Sequence, residues 1–204
     1  MRKLIFTIVL AFSALAASAQ RVSFGTNLME WANLGTINAE LGVAVSRHCS
    51  IIAGGRYNGW SFNTRQYHQI LQNQQATGYV GARWWPWYVN SGWWLEGKAQ
   101  YSKIQRSGIF RPAMLHQADM VGAAFSFGYA LMLNEHWNVD FGIGLWGGVS
   151  LNDKLYECPV CMRPNPLPGR KDGTRGFIDL NDIKISFSYV FGGKKKEEKP
   201  EWGW

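Results

Sequence analysis

The chain has 204 residues, of which 47% are hydrophobic and 15% aromatic, with only 17% charged and a formal net charge of +7. That length suits one domain, and no linker-like composition shift marks a second. The basic excess is modest: the Lys194 to Lys199 run is interleaved with Glu197 and Glu198, so no nucleic-acid partner is expected.

Arg2 and Lys3, the apolar stretch Leu4 to Ala16 and the small residues Ala17 to Ala19 read together as a signal peptide over 1–19. The apolar stretch is shorter than the roughly 20 residues of a spanning helix. An exported chain beginning at Gln20 is therefore expected, with a single domain over 20–191 and a charged tail over 192–204 in the periplasm. The tail is expected to be disordered, with a docking role for Trp202 and Trp204 as the bolder alternative.

From Val22 onward the hydrophobic period is two, not 3.6, and this predicts strands. They fall at Val22–Trp31, Ile37–Ser46, Ser50–Trp60, Ala76–Trp85, Trp93–Lys103, Asp119–Leu133, Trp137–Leu151 and Leu180–Phe191. In the second, Ile37, Ala39, Leu41, Val43 and Val45 alternate with Asn38, Glu40, Gly42 and Ser46. In the seventh, Trp137, Val139, Phe141, Ile143 and Leu145 alternate with Asn138, Asp140, Gly142 and Gly144. One face is apolar and the other is small or polar.

The connections separate a barrel from a soluble sandwich. Short turns near Arg47–His48, Pro86–Gly92 and Asn134–His136 alternate with long segments at Ser61–Gln75, Ile104–Ala118 and Asn152–Asp179, except that the first connection, Ala32 to Thr36, is short as well. In an up-and-down barrel every long segment then lies at one end, as in outer-membrane barrels. The fold expected is all-β, an eight-stranded antiparallel up-and-down transmembrane β-barrel with outer-membrane lipid around it.

Eleven Trp, eight Tyr and eleven Phe need a place. Trp84, Trp85, Trp93, Trp94 and Trp137 cluster beside short turns, and Trp31, Trp60, Tyr101 and Trp146 lie at the opposite strand ends. They are expected to form two interfacial girdles, because amphipathic rings favour the headgroup level of a bilayer. Alternation turns Glu40, Arg56, Arg83, Glu96, Lys98, Asp140 and Lys184 inward. Charges of mixed sign in a narrow bore must pair, so an internal salt-bridge network is expected ahead of an ion path or acid–base chemistry.

Three cysteines are present, and Cys158 with Cys161 makes a C-x-x-C in the last long segment. A loop disulfide ranks first for this pair in an oxidising compartment, zinc binding second and redox catalysis third. His48, His68, His116 and His136 all fall in turns or loops on this reading, which disfavours a hydrolase. Neither a catalytic residue, a metal site nor a cofactor is expected.

The stretch Thr26-Asn27-Leu28 through Trp31, the spacing Asn38 to Gly42, the segment Gly128 to Asn138, the C-x-x-C and a closing strand ending in Phe191 resemble one family. It is the outer-membrane barrel family known as domain of unknown function 3575, found mainly in Bacteroidota. The chain departs from it where Met162, not glycine, follows Cys161, and in its tail. The resemblance implies an integral outer-membrane protein of unassigned activity, often encoded near fimbrial subunit genes, with Phe191 as an assembly signal. The function expected is non-enzymatic, with surface loops for adhesion or support of a fimbrial assembly; a lipid-modifying enzyme or narrow channel is the alternative.

Overall fold

The computed structural model describes residues 22–64, 69–107, 114–157, 165–166 and 173–191. The expected signal peptide, His68, Cys158 and Cys161 and the 192–204 tail lie outside the described residues. Eight strands form the wall: β1 (Val22–Asn27), β2 (Ile37–Ala44), β3 (Cys49–Thr64), β4 (Gln69–Trp84), β5 (Gly92–Ser107), β6 (Met114–Met132), β7 (Trp137–Glu157) and β8 (Gly173–Phe191). Each pairs antiparallel with the next, and β1 pairs with β8 from Val22–Phe191 to Asn27–Ser186, which closes the barrel. A two-residue ladder at Asn165–Pro166 lies against the upper end of β7.

Closure satisfies the ladder hydrogen bonds and removes free edges as far up as the Ile37–Tyr57 and Asn27–Ser186 rungs, while the pleat sorts side chains between two faces. Outside, Val80, Leu95, Val121, Phe125, Phe127, Phe141, Ile143, Ile183 and Phe187 are all exposed. Inside are Ser50, Thr77, Gln100, Ser126, Asn138, Ser186 and Ser188, all buried. A polar core inside an apolar skin is the reverse of a soluble domain.

The apolar skin is a band with edges. On β5 it runs from Trp93 to Tyr101, and the next outward positions are Lys103 and Gln105. Eight steps of about 3.3 Å at a tilt near 40° give roughly 20 Å, close to the band of about 25 Å on barrels that cross membranes. Trp84, Trp93 and Trp137 are exposed at its lower edge, taken as the end that carries Val22 and Phe191. There Trp93 meets Tyr129 edge-on at 5.3 Å, and Trp137 contacts Phe187 at 4.7 Å and Tyr189 at 4.9 Å. No described helix is long and apolar enough to cross a membrane, which says nothing of a barrel.

Several expectations need correction. Trp85 and Trp94 do not belong to the outer girdle: each is 1% exposed and sits in the bore. Adjacent residues on a strand face opposite ways, so Trp93 facing out forces Trp94 in, while Trp85, the first residue past β4, turns inward with its indole bonded to Ser50. Trp146 is buried for the same reason as Trp94, since Leu145 faces out.

The segments expected as long loops are largely strand. β3 continues to Thr64 and β4 begins at Gln69; β5 continues to Ser107 and β6 begins at Met114; β7 continues to Glu157 and β8 begins at Gly173. These extensions are richer in polar residues, with apolar ones such as Ile104 and Ile178 scattered among them, so they lack the sustained alternation that marks the rest of the wall. His116 consequently stands on β6 and not in a loop.

The first strand also ends early. Asn27 caps a short helix, α1 (Leu28–Ala32), its Oδ1 accepting from the Met29 amide at 3.1 Å. The same side chain accepts from the Ile185 amide and donates to the Ile183 carbonyl, tying the helix start to β8. β1 has six residues and β2 has eight, against 16 to 21 in the other strands. The wall is therefore low above the β1–β2 hairpin, leaving a notch: past Tyr57, β3 pairs with β4 alone, and past Ser186 the upper part of β8 pairs with β7 alone among the described residues.

Candidate functional site

The lower bore is closed by aromatic rings. Trp85, Val89, Trp94 and Ala130 pack together, because the Trp85–Ser91 connection folds under the barrel. The Trp85 amide donates to the His48 carbonyl at 2.8 Å, the Val89 amide to Arg47 at 3.1 Å, and the Trp85 indole to Ser50 Oγ at 3.0 Å. Asn138 Nδ2 holds the far side through the Asn90 carbonyl at 2.9 Å. The Trp94 ring lies where side chains of Gly128 and Gly142 would otherwise project: a Cβ on either residue would collide with it.

On this floor stands the charge cluster. Arg83 donates through Nε to Glu96 Oε2 at 2.9 Å and through Nη2 to both Glu96 and Glu40, the latter at 2.8 Å. Its Nη1 is 3.6 Å from Asp140. Lys184 Nζ is 2.7 Å from Glu40 Oε2 and 3.4 Å from Glu96 Oε2, and Lys98 Nζ is 3.2 Å from Glu96 Oε1. Tyr79 donates its hydroxyl to Glu40 at 2.9 Å. Three acids and three bases from β2, β4, β5, β7 and β8 thus form one neutral cluster. Cation–π contacts add to it, with Arg83 4.5 Å from the Trp94 ring centre and Lys98 Nζ 4.6 Å from that of Tyr79.

Of the seven inward charges, Arg56 stands apart. It donates to Glu30 of α1 and, at 3.3 Å, to Gln100. Glu30 was not foreseen, because a continuous first strand hides the helix that carries it. The cavity left among these groups is about 30 Å3, room for roughly two or three water molecules.

Above the cluster the bore widens into a vestibule of about 340 Å3. Arg56, Gln75, Arg106, His116, Trp146 and Asp179 are on its walls, with Glu30 at its base. Arg106 Nη2 donates to Gln75 Oε1 at 2.7 Å, and the hydroxyls of Thr77 and Ser102 share a hydrogen bond of 2.7 Å. His116 Nε2 lies 3.0 Å from Asp153 Oδ1. The His116–Asp153 pair and Asp179 escaped the sequence reading. Two-residue alternation down from Ile183 would turn Asp179 outward, but a register shift between the Gly144 and Leu145 rungs reverses the faces. Ile178 and Leu180 face out instead, and Asp179 lines the vestibule.

Among the described residues no cluster of three or more His, Cys, Asp or Glu is placed to hold a metal ion, and Cys49 is a free thiol. No curated protein and no solved structure matches the chain. A family model does, over residues 4–191, and a match across most of the sequence makes the chain a member of the family described as protein of unknown function (DUF3575).

Proposed function

We propose that this protein is an integral outer-membrane β-barrel with a sealed bore, a non-enzymatic platform that holds its upper strand extensions at the cell surface for adhesion or for support of a surface assembly such as fimbriae. The observation that carries this reading is the inversion of the fold: an apolar band edged by Trp84, Trp93 and Trp137 outside, and a neutral charge cluster within. Such an exterior is stable only in lipid. The tightly filled lower bore supports a barrel that does not conduct.

Two measurements test this. Mature protein in outer-membrane fractions, with a folded band on unheated gels that shifts on boiling, would support membrane residence; recovery as a soluble monomer without detergent would refute it. Planar bilayers holding the purified protein should show no steady conductance. Crosslinking on intact cells, read for products formed through the upper extensions, tests the platform role. If no surface component is joined to them, that role fails.

The His116–Asp153 pair favours a second reading, a lipid-modifying enzyme. An imidazole oriented by a carboxylate is half of a hydrolytic relay. Among the described residues, no hydroxyl or thiol is within hydrogen-bond reach of His116 Nδ1. That leaves the platform reading ahead.

A further inference from the structure

The notch and the vestibule are continuous. Asn33, on the connection that forms the notch sill, and Asp179 and Leu180, on its β8 side, also line the vestibule. The sill and flanks are apolar outside: Leu28, Met29, Leu34, Tyr57, Leu180 and Ile178 are exposed, Ile178 at 84%. Since the outward apolar residues of β8 reach Ile178, well past the last β1–β8 rung at Asn27–Ser186, the notch opens inside the band. A molecule entering there comes from the lipid side.

The vestibule walls are arranged for a head of mixed charge. Glu30 is engaged by Arg56. Arg106 spends one Nη2 contact on Gln75 and presents a planar fork suited to phosphate. Trp146, 4% exposed, has a buried indole N–H without a hydrogen-bond partner. A buried donor of this kind is costly unless something accepts from it. Asp179 supplies a carboxylate on the notch side of the same cavity. Its volume of about 340 Å3 is at the lower end of small-molecule sites, roughly 300–1,000 Å3.

We propose that the vestibule binds a zwitterionic phospho-amine amphiphile, its phosphate taken by Arg106 and the Trp146 indole N–H, its amine by Asp179, and its acyl chain lying across the apolar sill of the notch. The site rests on the membrane reading above for the source of its ligand, but its occupancy is measurable in detergent.

The test is a titration of the folded full-length protein in dodecyl maltoside micelles with lysophosphatidylethanolamine, reading the Trp146 indole N–H resonance, identified by its loss in Trp146→Phe. A saturable shift is expected. Free phosphoethanolamine, lacking the chain, should bind at least about tenfold more weakly, and Arg106→Gln should weaken the amphiphile by about tenfold. Asp179→Asn should weaken lysophosphatidylethanolamine while leaving dodecyl phosphate unchanged. Retention of the heat-shifted gel band checks that each variant is folded.

No saturable shift with folded protein overturns the proposal. So does equal binding of the free head, which would mean a site for a soluble anion, or an Asp179→Asn variant that binds lysophosphatidylethanolamine as the parent does. A protein that floats with liposomes yet shows no shift sinks this site and leaves the membrane reading standing. One that shifts in micelles but never enters membranes does the opposite.

Discussion

Lys184 Nζ lies 2.7 Å from Glu40 Oε2, joining β8 to β2 across the short β1 that separates them in the sheet. Both ends are held again, Glu40 by Arg83 and Tyr79 and Lys184 by Glu96. Removing one side of a buried pair leaves the other charge uncompensated, which costs about 3–5 kcal/mol. Glu40→Gln should therefore lower the urea midpoint of the refolded barrel. Combining it with Lys184→Met should restore part of the loss, because the orphaned ammonium goes too. If the double variant is as unstable as the sum of both single variants, the bridge is not coupled as its geometry implies.

The outward face makes its own prediction. Phe125 is midway between Val121, level with Tyr101, and Tyr129, level with Trp93. On the membrane reading proposed above, a guanidinium there would face the middle of the hydrocarbon, so Phe125→Arg should destabilise the barrel in liposomes by about 2–4 kcal/mol. Gln105→Arg, on the same side of the wall but above the band, should change stability by no more than about 0.5 kcal/mol. Equal effects at the two positions would mean that the band does not meet lipid.

At the floor, Gly128 and Gly142 leave room for the Trp94 ring, and a Cβ on Gly128 would also meet the Phe141 carbonyl. Gly128→Val should cost about 2–3 kcal/mol as overpacking. In a Trp94→Ala background part of that penalty should disappear, since only the backbone contact remains. An unchanged penalty there would show that the ring plays no part in requiring glycine.

These sites differ in how far the sequence revealed them. The strand number and the inward set Glu40, Arg83, Glu96, Lys98, Asp140 and Lys184 follow from a strict period of two, because each pleat reverses the face, whereas barrel closure was read from the order of short and long connections. Trp94 obeys the same parity, but its position beside a turn suggested an interface. Parity was the better guide. Glu30 and Asp179 were beyond it, since a helix interrupts the first strand and a bulge reverses the last. The upper strand extensions were hidden for a different reason: runs such as Gln72 to Gln75 and Gln105 to Ser107 put polar residues on both faces, which breaks the alternation.

The His116–Asp153 pair separates the platform reading from the enzymatic one. His116→Ala removes the imidazole from a half-exposed position at the vestibule wall, and leaves Asp153 with no ring to orient. Because His116 is partly exposed and Asp153 is buried, the cost to folding should lie between about 1 kcal/mol, the scale of an exposed pair, and about 3–5 kcal/mol, that of a buried one. On the platform reading, cells carrying His116→Ala or Asp153→Asn keep the same outer-membrane lipid profile by mass spectrometry as cells carrying the parent. A hydrolytic or acyl-transfer role demands more: loss of one lipid species in both variants, with the heat-shifted band intact. That result would make the imidazole a general base and end the non-enzymatic reading, whereas an unchanged profile leaves the pair as a structural clasp between β6 and β7.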